Sequence, residues 1–200
     1  GMAPDGERIW TYREAMTPKA APKSLIVIGS GAIGIEFASF YRALGADVTV
    51  IEALDRILPV EDAEVSAAAQ KAFEKRGLKF RVAAKVIKLS KDKAGVTVDL
   101  EMGGKPESLK AEVAIVAVGI EGNVEDMGLE GLGVKIDRGH VVTDKHGATN
   151  VPGLYAIGDV AGPPWLAHKA SHEGIHCVEH IAGKAGPTIE SPIPGCTYSD

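Results

Sequence analysis

Six consecutive residues near the start of the chain have the types and spacing of a phosphate-binding turn. They are Gly29, Ser30, Gly31, Ala32, Ile33 and Gly34. In a Gly-x-Gly-x-x-Gly turn the first glycine allows a tight reversal, the second lets the backbone approach a pyrophosphate, and the third lets a helix pack closely on a strand. The following helix offers unpaired N–H groups and the positive end of its dipole to an anion. The pattern predicts a dinucleotide site if a strand precedes it and a helix follows it.

A carboxylate at the right distance strengthens this prediction. Glu52 follows Gly34 by eighteen residues, where an acidic side chain accepts hydrogen bonds from the hydroxyls of an adenosine ribose. A 2′-phosphate would meet a like charge there, so Glu52 favours NAD over NADP. Arg56, four residues later, could pair with a 2′-phosphate, so NADP remains an alternative ligand. Glu52 itself could instead be a solvated acid at a strand end.

The elements around the turn have the required order. Residues 25–28 form a short apolar run typical of a strand buried on both faces of a parallel sheet. Apolar residues then recur at helical spacing from Ile33 to Leu44, and Gly45 ends the pattern. A second apolar run at 48–51 completes a βαβ unit.

Further patterns extend this α/β organisation. We expect a helix over 61–76, an antiparallel β-meander over 79–110 and a buried strand over 111–118. Two short strands are predicted at 134–136 and 141–142, another buried strand at 154–157, and a last helix at 167–181. The first 23 residues, with three prolines and little periodicity, are predicted to be a lead-in segment in which Ile9, Trp10 and Tyr12 dock locally.

Composition excludes several classes of function. The chain has 200 residues, is 45% hydrophobic and carries a net charge of −5, so it provides no basic field for nucleic acid or anionic lipid. No apolar run is long enough to span a bilayer. Two cysteines nineteen positions apart do not form a disulfide framework, which favours a reducing, cytoplasmic setting.

Four short motifs, taken together, resemble the FAD-dependent pyridine-nucleotide disulfide reductases. The motifs are GSGAIGIE (29–36), EALDRILP (52–59), AVG (117–119) and YAIGD (155–159). Within that family, GIEGNVE (119–125) and LAHKA (166–170) are most similar to the dihydrolipoamide dehydrogenase branch. The resemblance covers nearly the whole chain in a single order.

The resemblance implies roles for five further residues. Glu36 corresponds to a glutamate beside the flavin and nicotinamide, Val86 to a position whose backbone lies near the adenine, and Gly119 to a glycine near the nicotinamide half. Asp159 corresponds to an aspartate that binds the ribitol of FAD, and Ala167 to the first residue of a helix whose N-terminus faces the flavin. Without the resemblance, Glu36 and Asp159 would be helix or turn acids.

The resemblance also implies a domain organisation. It comprises a lead-in at 1–23, a Rossmann-like three-layer NAD-binding domain with a β-meander at 24–125, a partial FAD-domain segment at 126–186, and a tail at 187–200 leading to an interface domain. The family's redox cysteine pair and its histidine-glutamate base lie in segments that this chain lacks. We therefore expect an internal fragment that binds NAD(H) weakly, has no catalytic residues of its own and is inactive alone.

The parent enzyme implied by the resemblance oxidises dihydrolipoamide through a disulfide and FAD, with NAD as acceptor. It would be a homodimer serving a 2-oxo-acid dehydrogenase or glycine-cleavage complex. Two alternatives remain open: a mercuric or glutathione reductase type of parent, and a stand-alone NAD-sensing module.

Histidines spaced four apart in the last predicted helix, at 168, 172, 176 and 180, raise the question of a metal site. They lie opposite a small and apolar set, namely Ala167, Ala170, Gly174, Val178 and Ile181, so we predict an outward-facing polar surface rather than a metal site. Cys177 and Cys196 do not have redox spacing and are predicted to be bystanders.

Overall fold

A computed structural model describes residues 2–184 and 193–199, and the chain forms two compact units. Residues up to 119 together with those from 196 onward form the first unit, and residues 120–195 form the second. The predicted boundary between domains lay six residues later, near 125. Residues 185–192 of the predicted partial FAD segment and tail lie outside the described residues.

The described residues of the first unit form eight strands and three helices. The strands are β1 (Ile9–Trp10), β2 (Ser24–Ile28), β3 (Asp47–Ile51), β4 (Lys79–Arg81), β5 (Ala84–Lys91), β6 (Val96–Met102), β7 (Lys105–Ala111) and β8 (Val113–Val116). The helices are α1 (Tyr12–Met16), α2 (Ala32–Ala43) and α3 (Ala63–Lys75). Five strands form a parallel sheet in the order β1-β8-β2-β3-β4, and β5-β6-β7 form an antiparallel meander.

The parallel sheet is buried on both faces, as the continuous apolar runs predicted. Successive side chains of a strand point to opposite faces, so Leu25 and Val27 pack with the helices while Ile26 and Ile28 pack with the meander. The result is the predicted three-layer α/β arrangement of helices, parallel sheet and meander. Strand β4 departs from the prediction, because residues 79–81 pair with β3 in the parallel sheet and the meander begins only at Ala84.

The lead-in segment does not dock locally as predicted: two of its residues join the first unit's sheet, and Tyr12 is half exposed. Ile9 and Trp10 pair in parallel with Ala114 and Ile115 of β8, and both are buried. Asp5 fixes this segment: its carboxylate accepts hydrogen bonds from the backbone N–H groups of residues 7, 8 and 9 and pairs with Lys91 Nζ at 2.6 Å. Burial alone would raise the pKa of the Asp5 carboxyl, but the ammonium and the three N–H groups hold it well below its usual range.

Loss of this carboxylate should destabilise the first unit in a pH-dependent way. Because the folded pKa of Asp5 is depressed, its contribution is present above the unfolded value of about 3.9 and is lost as pH falls below it. We expect Asp5→Ala to lower the free energy of unfolding by about 2 kcal/mol at pH 7, with the difference from wild type shrinking below pH 4. Denaturant unfolding at several pH values measures this.

Asp47→Ala is the matched control for Asp5→Ala. Asp47 pairs with Lys79 at 2.7 Å, but both side chains are more than half exposed. An exposed pair contributes less than about 1 kcal/mol, so this variant should stay close to wild type at every pH. Equal effects of the two substitutions would contradict the anchoring role of Asp5.

Where the structure describes it, the second unit is built from short elements and one long helix. A hairpin joins β9 (Ile136–Asp137) to β10 (His140–Val141), a single 3-10 turn covers Gly158–Ala161, and α4 spans Ala167–Ile181. The predicted buried strand at 154–157 is wrong: this segment makes one isolated bridge, between Ala148 and Tyr155, and Ile157 is exposed. An apolar run becomes a strand only where a neighbour completes its hydrogen bonds, and the described residues supply none beyond that bridge.

Helix α4 has the predicted bounds, but its buried face differs from the prediction. Lys169 and Cys177 are buried, whereas Val178 and Ile181 of the predicted apolar face are more than half exposed. His180 stacks on His146 with ring centroids 3.9 Å apart. Across the described parts of the chain, no helix is long and apolar enough to cross a membrane.

Candidate functional site

The candidate site lies at one edge of the parallel sheet. Strands β8, β2 and β3 are neighbours and run in the same direction, so their carboxyl ends meet at this edge. Gly119 follows β8, the glycine-rich turn follows β2, and Glu52 follows β3. Ligands of open α/β sheets bind outside the carboxyl ends of the strands, so the fold gathers these predicted residues where a dinucleotide would bind.

Two of the three glycines in the turn are required by the protein's own packing. Gly29 has φ +102°, and a Cβ atom on it would overlap the carbonyl oxygen of Ala117. A Cβ atom on Gly34 would overlap the carbonyl oxygen of Gly29. These glycines let β8, the turn and α2 approach one another closely. The positive φ of Gly29 agrees with the tight reversal predicted for the first position, and the overlap at Gly34 agrees with the close packing predicted for the third.

Gly31, the middle glycine, faces open space instead. Apart from its neighbours in the chain, none of the described residues has an atom within 4 Å of the position its Cβ would take, and its φ of −64° is one that any residue adopts. Gly31 is the N-cap of α2, and no side chain caps the helix there. Nothing in the fold of the described residues requires a glycine here, whereas the close approach of a ligand to the backbone would.

Ser30 and Glu52 form a buried pair beneath this turn. Ser30 is fully buried, and both its backbone N–H (2.9 Å) and its hydroxyl (2.7 Å) donate to Oε2 of Glu52. Oε1 of Glu52 accepts the backbone N–H of Leu54 at 2.9 Å. Ser30 was predicted to contact the cofactor, but its side chain is enclosed and bonded to Glu52.

The loop after Glu52 is fastened to the same turn. The backbone N–H of Leu58 donates to the carbonyl of Ser30 at 2.9 Å, and Leu58 adopts a left-handed φ of +46° that is uncommon for leucine. Arg56, which kept NADP open, has its guanidinium bonded to Asp55 and to the carbonyl of Pro59, each at 3.3 Å. Its Nε atom is buried without a partner among the described residues.

The remaining predicted residues of the first unit lie on three other segments. Glu36 lies on α2, half-buried, and its Oε1 accepts the backbone N–H of Tyr198 at 2.8 Å. Val86 pairs with Leu100 in the meander at the point where the β5–β6 register shifts. Gly119 is exposed, and beyond its two chain neighbours no atom of residues 2–184 and 193–199 lies within 4 Å of the position that a Cβ atom on it would take.

Two predicted residues belong to the second unit. Asp159 is exposed within the 3-10 turn at Gly158–Ala161, and Ala167 is the first residue of α4, whose N-cap Leu166 provides no side-chain hydrogen bond. Both therefore present polar groups that the described residues of the unit do not use: an exposed carboxylate and a helix N-terminus.

Sequence reasoning missed the ion pair that shapes this turn. Lys169 is buried, and its Nζ donates to the carbonyls of Gly158 (3.3 Å) and Gly162 (2.9 Å) and pairs with Glu173 at 3.1 Å. Glu173 in turn accepts the backbone N–H of Gly158 at 2.7 Å. The spacing of a lysine and a glutamate four apart on a helix was the available signal, but most such pairs lie at the surface.

The environment of Cys177 disfavours a reactive thiol. Burial raises the pKa of the Cys177 thiol, with a further contribution from the charge of Asp144, and this disfavours the thiolate. Cys196 is exposed, and the two are unpaired. Over residues 2–184 and 193–199 no three histidine, cysteine or acidic side chains converge in a geometry that could hold a metal ion.

The first unit's residues fit a dinucleotide. An uncapped helix N-terminus, an open glycine above it and a carboxylate fixed at the end of the next strand are the three elements such a ligand uses. The fit rests chiefly on Gly31, because the protein leaves the space beside its Cα empty.

Comparison with known proteins agrees with this geometry. A family model described as pyridine nucleotide-disulphide oxidoreductase matches residues 1–174. Dihydrolipoyl dehydrogenases from Rhizobium etli and Zymomonas mobilis are 60% and 52% identical, over 99% and 98% of this chain. The chain spans 42% of the length of each of these relatives.

Solved structures share the fold. LpdA from Mycobacterium tuberculosis superposes with a TM-score of 0.84 and 33% identity, over 94% of this chain and 41% of that one. A form of the flavoprotein disulfide reductase RclA from Escherichia coli has a TM-score of 0.86 at 22% identity, over 96% of this chain and 43% of that one, a similarity of fold alone.

Proposed function

Because the chain belongs to the pyridine nucleotide-disulphide oxidoreductase family, we propose that its first unit is an NAD(H)-binding domain. The observation that carries the proposal is Gly31: the fold does not need a glycine there, and a pyrophosphate would. The backbone N–H groups at the N-terminus of α2 bind the pyrophosphate. The carboxylate of Glu52 accepts a hydrogen bond from the adenosine ribose. Gly119 and Glu36 border the nicotinamide half, and the backbone of Val86 borders the adenine.

The second unit belongs, in this proposal, to the FAD-binding part of a longer enzyme. Asp159 binds the ribitol of the flavin, and the N-terminus of α4 at Ala167 faces its pyrimidine ring, whose developing negative charge a helix dipole stabilises. Bound FAD supplies the electron transfer between a dithiol and the nicotinamide. These 200 residues alone bind NAD(H) weakly, bind FAD poorly and have no disulfide reductase activity.

The whole enzyme oxidises dihydrolipoamide with NAD as acceptor. The names of relatives at 60% and 52% identity support this substrate over the mercuric or glutathione reductase alternatives. We place the enzyme in the cytoplasm as a homodimer that serves a 2-oxo-acid dehydrogenase complex. The Asp159 carboxylate is exposed and has no hydrogen-bond partner among the described residues of its unit, which favours a flavin-binding role over a stand-alone NAD sensor.

Substitution of Gly31 tests the nucleotide site. Gly31→Ala places a methyl group where the pyrophosphate would approach the backbone, so NADH affinity should fall at least about tenfold, equivalent to about 1.4 kcal/mol. The free energy of unfolding should change by less than about 1 kcal/mol, because no protein atom is displaced and φ is compatible. Isothermal titration calorimetry with NADH and denaturant unfolding provide the two measurements.

Asp47→Ala, at the opposite end of β3 from Glu52, is the control and should bind NADH as wild type does. Titration with NADPH completes the experiment and should give weaker binding than NADH. Unchanged NADH affinity in Gly31→Ala would contradict the placement of the pyrophosphate, and tighter binding of NADPH would contradict the role of Glu52.

A further inference from the structure

We propose that Ser30 is a positioning residue that fixes the Glu52 carboxylate and thereby determines selection for a ribose bearing a free 2′-hydroxyl. The inference deepens the proposed NAD(H)-binding function and rests on it. Ser30 is 0% exposed, so its side chain does not reach a bound nucleotide. Its effect on a ligand must pass through the groups it contacts.

The first contact is with Oε2 of Glu52. Ser30 uses both of its donors on this one oxygen, the N–H at 2.9 Å and the hydroxyl at 2.7 Å. An ionised carboxylate accepts about four hydrogen bonds, about two on each oxygen. Oε2 is therefore filled by Ser30 and is not available to a ribose.

The other carboxylate oxygen of Glu52, Oε1, can accept one more hydrogen bond. Oε1 accepts the Leu54 N–H at 2.9 Å, which leaves one acceptor position for a ribose hydroxyl. The backbone of Glu52 is also fixed, because its N–H donates to the carbonyl of Arg81 (2.8 Å) and its carbonyl accepts the N–H of Ala84 (2.9 Å). A carboxylate held at both oxygens and along its backbone presents one acceptor in one direction.

The third contact of Ser30 is with the loop that follows Glu52 and contains Arg56. The Ser30 carbonyl accepts the N–H of Leu58, which closes the loop that carries Arg56. The Arg56 guanidinium remains bonded to Asp55 and to the Pro59 carbonyl. A 2′-phosphate would thus face the fixed negative charge of Glu52, while the nearest arginine of this loop is already engaged.

A double-mutant cycle on this chain tests the inference. The variants are Ser30→Ala, Glu52→Gln and their combination, and the ligands are NADH, NADPH and an NADH analogue with a 2′-deoxy adenosine ribose. Ser30→Ala should weaken NADH binding about tenfold, the effect of one hydrogen bond to a charged group. The preference for NADH over NADPH should narrow by a similar factor, and affinity for the 2′-deoxy analogue should stay within twofold.

The double-mutant cycle shows whether Ser30 acts by positioning Glu52 or only supports the fold. If Ser30 acts through Glu52, adding Ser30→Ala to Glu52→Gln should change NADH affinity less than twofold. Equal losses in both backgrounds, or equal losses for all three ligands, would overturn the inference. Thermal unfolding shows whether each variant is folded. If Ser30→Ala does not fold, Ser30→Cys replaces it, because cysteine has a similar volume and a weaker donor. Ser30→Cys should also weaken NADH binding.

Failure of the proposed function is distinguishable from failure of the inference. A wild-type chain that binds neither NADH nor NADPH would overturn the nucleotide site as a whole. A wild-type chain that binds NADH, together with a Ser30→Ala variant of unchanged affinity, would overturn only the role of Ser30.

Discussion

Gly34→Ala should lower the free energy of unfolding of the first unit by about 3 kcal/mol. The new Cβ would overlap the carbonyl oxygen of Gly29, and overpacking of this kind costs about 1–3 kcal/mol or more. Backbone atoms cannot move aside as a side chain can, and Gly29 is held by a 2.8 Å hydrogen bond from its N–H to the carbonyl of Ile51. The gain of about 1 kcal/mol in helix propensity from alanine does not offset this cost.

Trp10 provides the measurement for Gly34→Ala. It is buried in the helix-side core, 6.3 Å between ring centroids from Tyr41 of α2. The chain's other tryptophan, Trp165, is replaced by phenylalanine so that all tryptophan fluorescence comes from Trp10. Trp10 fluorescence recorded during urea unfolding then reports on the first unit. Gly31→Ala is the matched control in the same turn; an equal urea midpoint for the two variants would contradict the close packing of α2 on the turn.

Lys169→Met should destabilise the second unit by about 3 kcal/mol. The substitution leaves two backbone carbonyls and the Glu173 carboxylate without their shared donor. Removing one partner of a buried ion pair costs about 3–5 kcal/mol, and we take the lower end because Glu173 is about a quarter exposed. The 3-10 turn that carries Asp159 should loosen first, since the Gly158 carbonyl lies in its first residue and the Gly162 carbonyl in the residue that directly follows it.

Hydrogen exchange measured by mass spectrometry over residues 158–181 reports this change directly. Lys145→Met is the matched control, because Lys145 is an exposed lysine of the same unit, and it should exchange as wild type does. The double substitution Lys169→Met with Glu173→Leu should cost less than the sum of the single substitutions, because it leaves no buried charge unpaired. Equal exchange in Lys169→Met and Lys145→Met would refute the role of the pair.

Local patterns predicted the parts of the fold that depend on neighbouring residues. The βαβ unit around the glycine-rich turn follows from apolar periodicity and glycine placement, and the bounds of α4 were predicted to the residue. Partners distant in the chain decide the rest. Ile9 and Trp10 become a strand only because β8, about a hundred residues later, pairs with them, and residues 154–157 do not because they find a single bridge.

In the candidate site, too, some features could be predicted from local sequence patterns and others depend on contacts between distant residues. The glycines and Glu52 could be found from spacing, because the backbone conformation of a tight turn restricts residue type. The burial of Ser30 and of Lys169 could not, because serine and lysine are common at surfaces and only the three-dimensional contacts show that each donates several hydrogen bonds inside the protein.

The two outer strands of the parallel sheet affect how the chain behaves at high concentration. The unpaired backbone groups of an edge strand attract strands of other molecules and so promote aggregation. Strands β1 and β4 contain only two and three residues, and β4 carries the charged side chains of Lys79 and Arg81, paired with Asp47 and Glu107. Edges this short, one of them charged, give a second molecule little to pair with, which protects the sheet against edge-to-edge self-association.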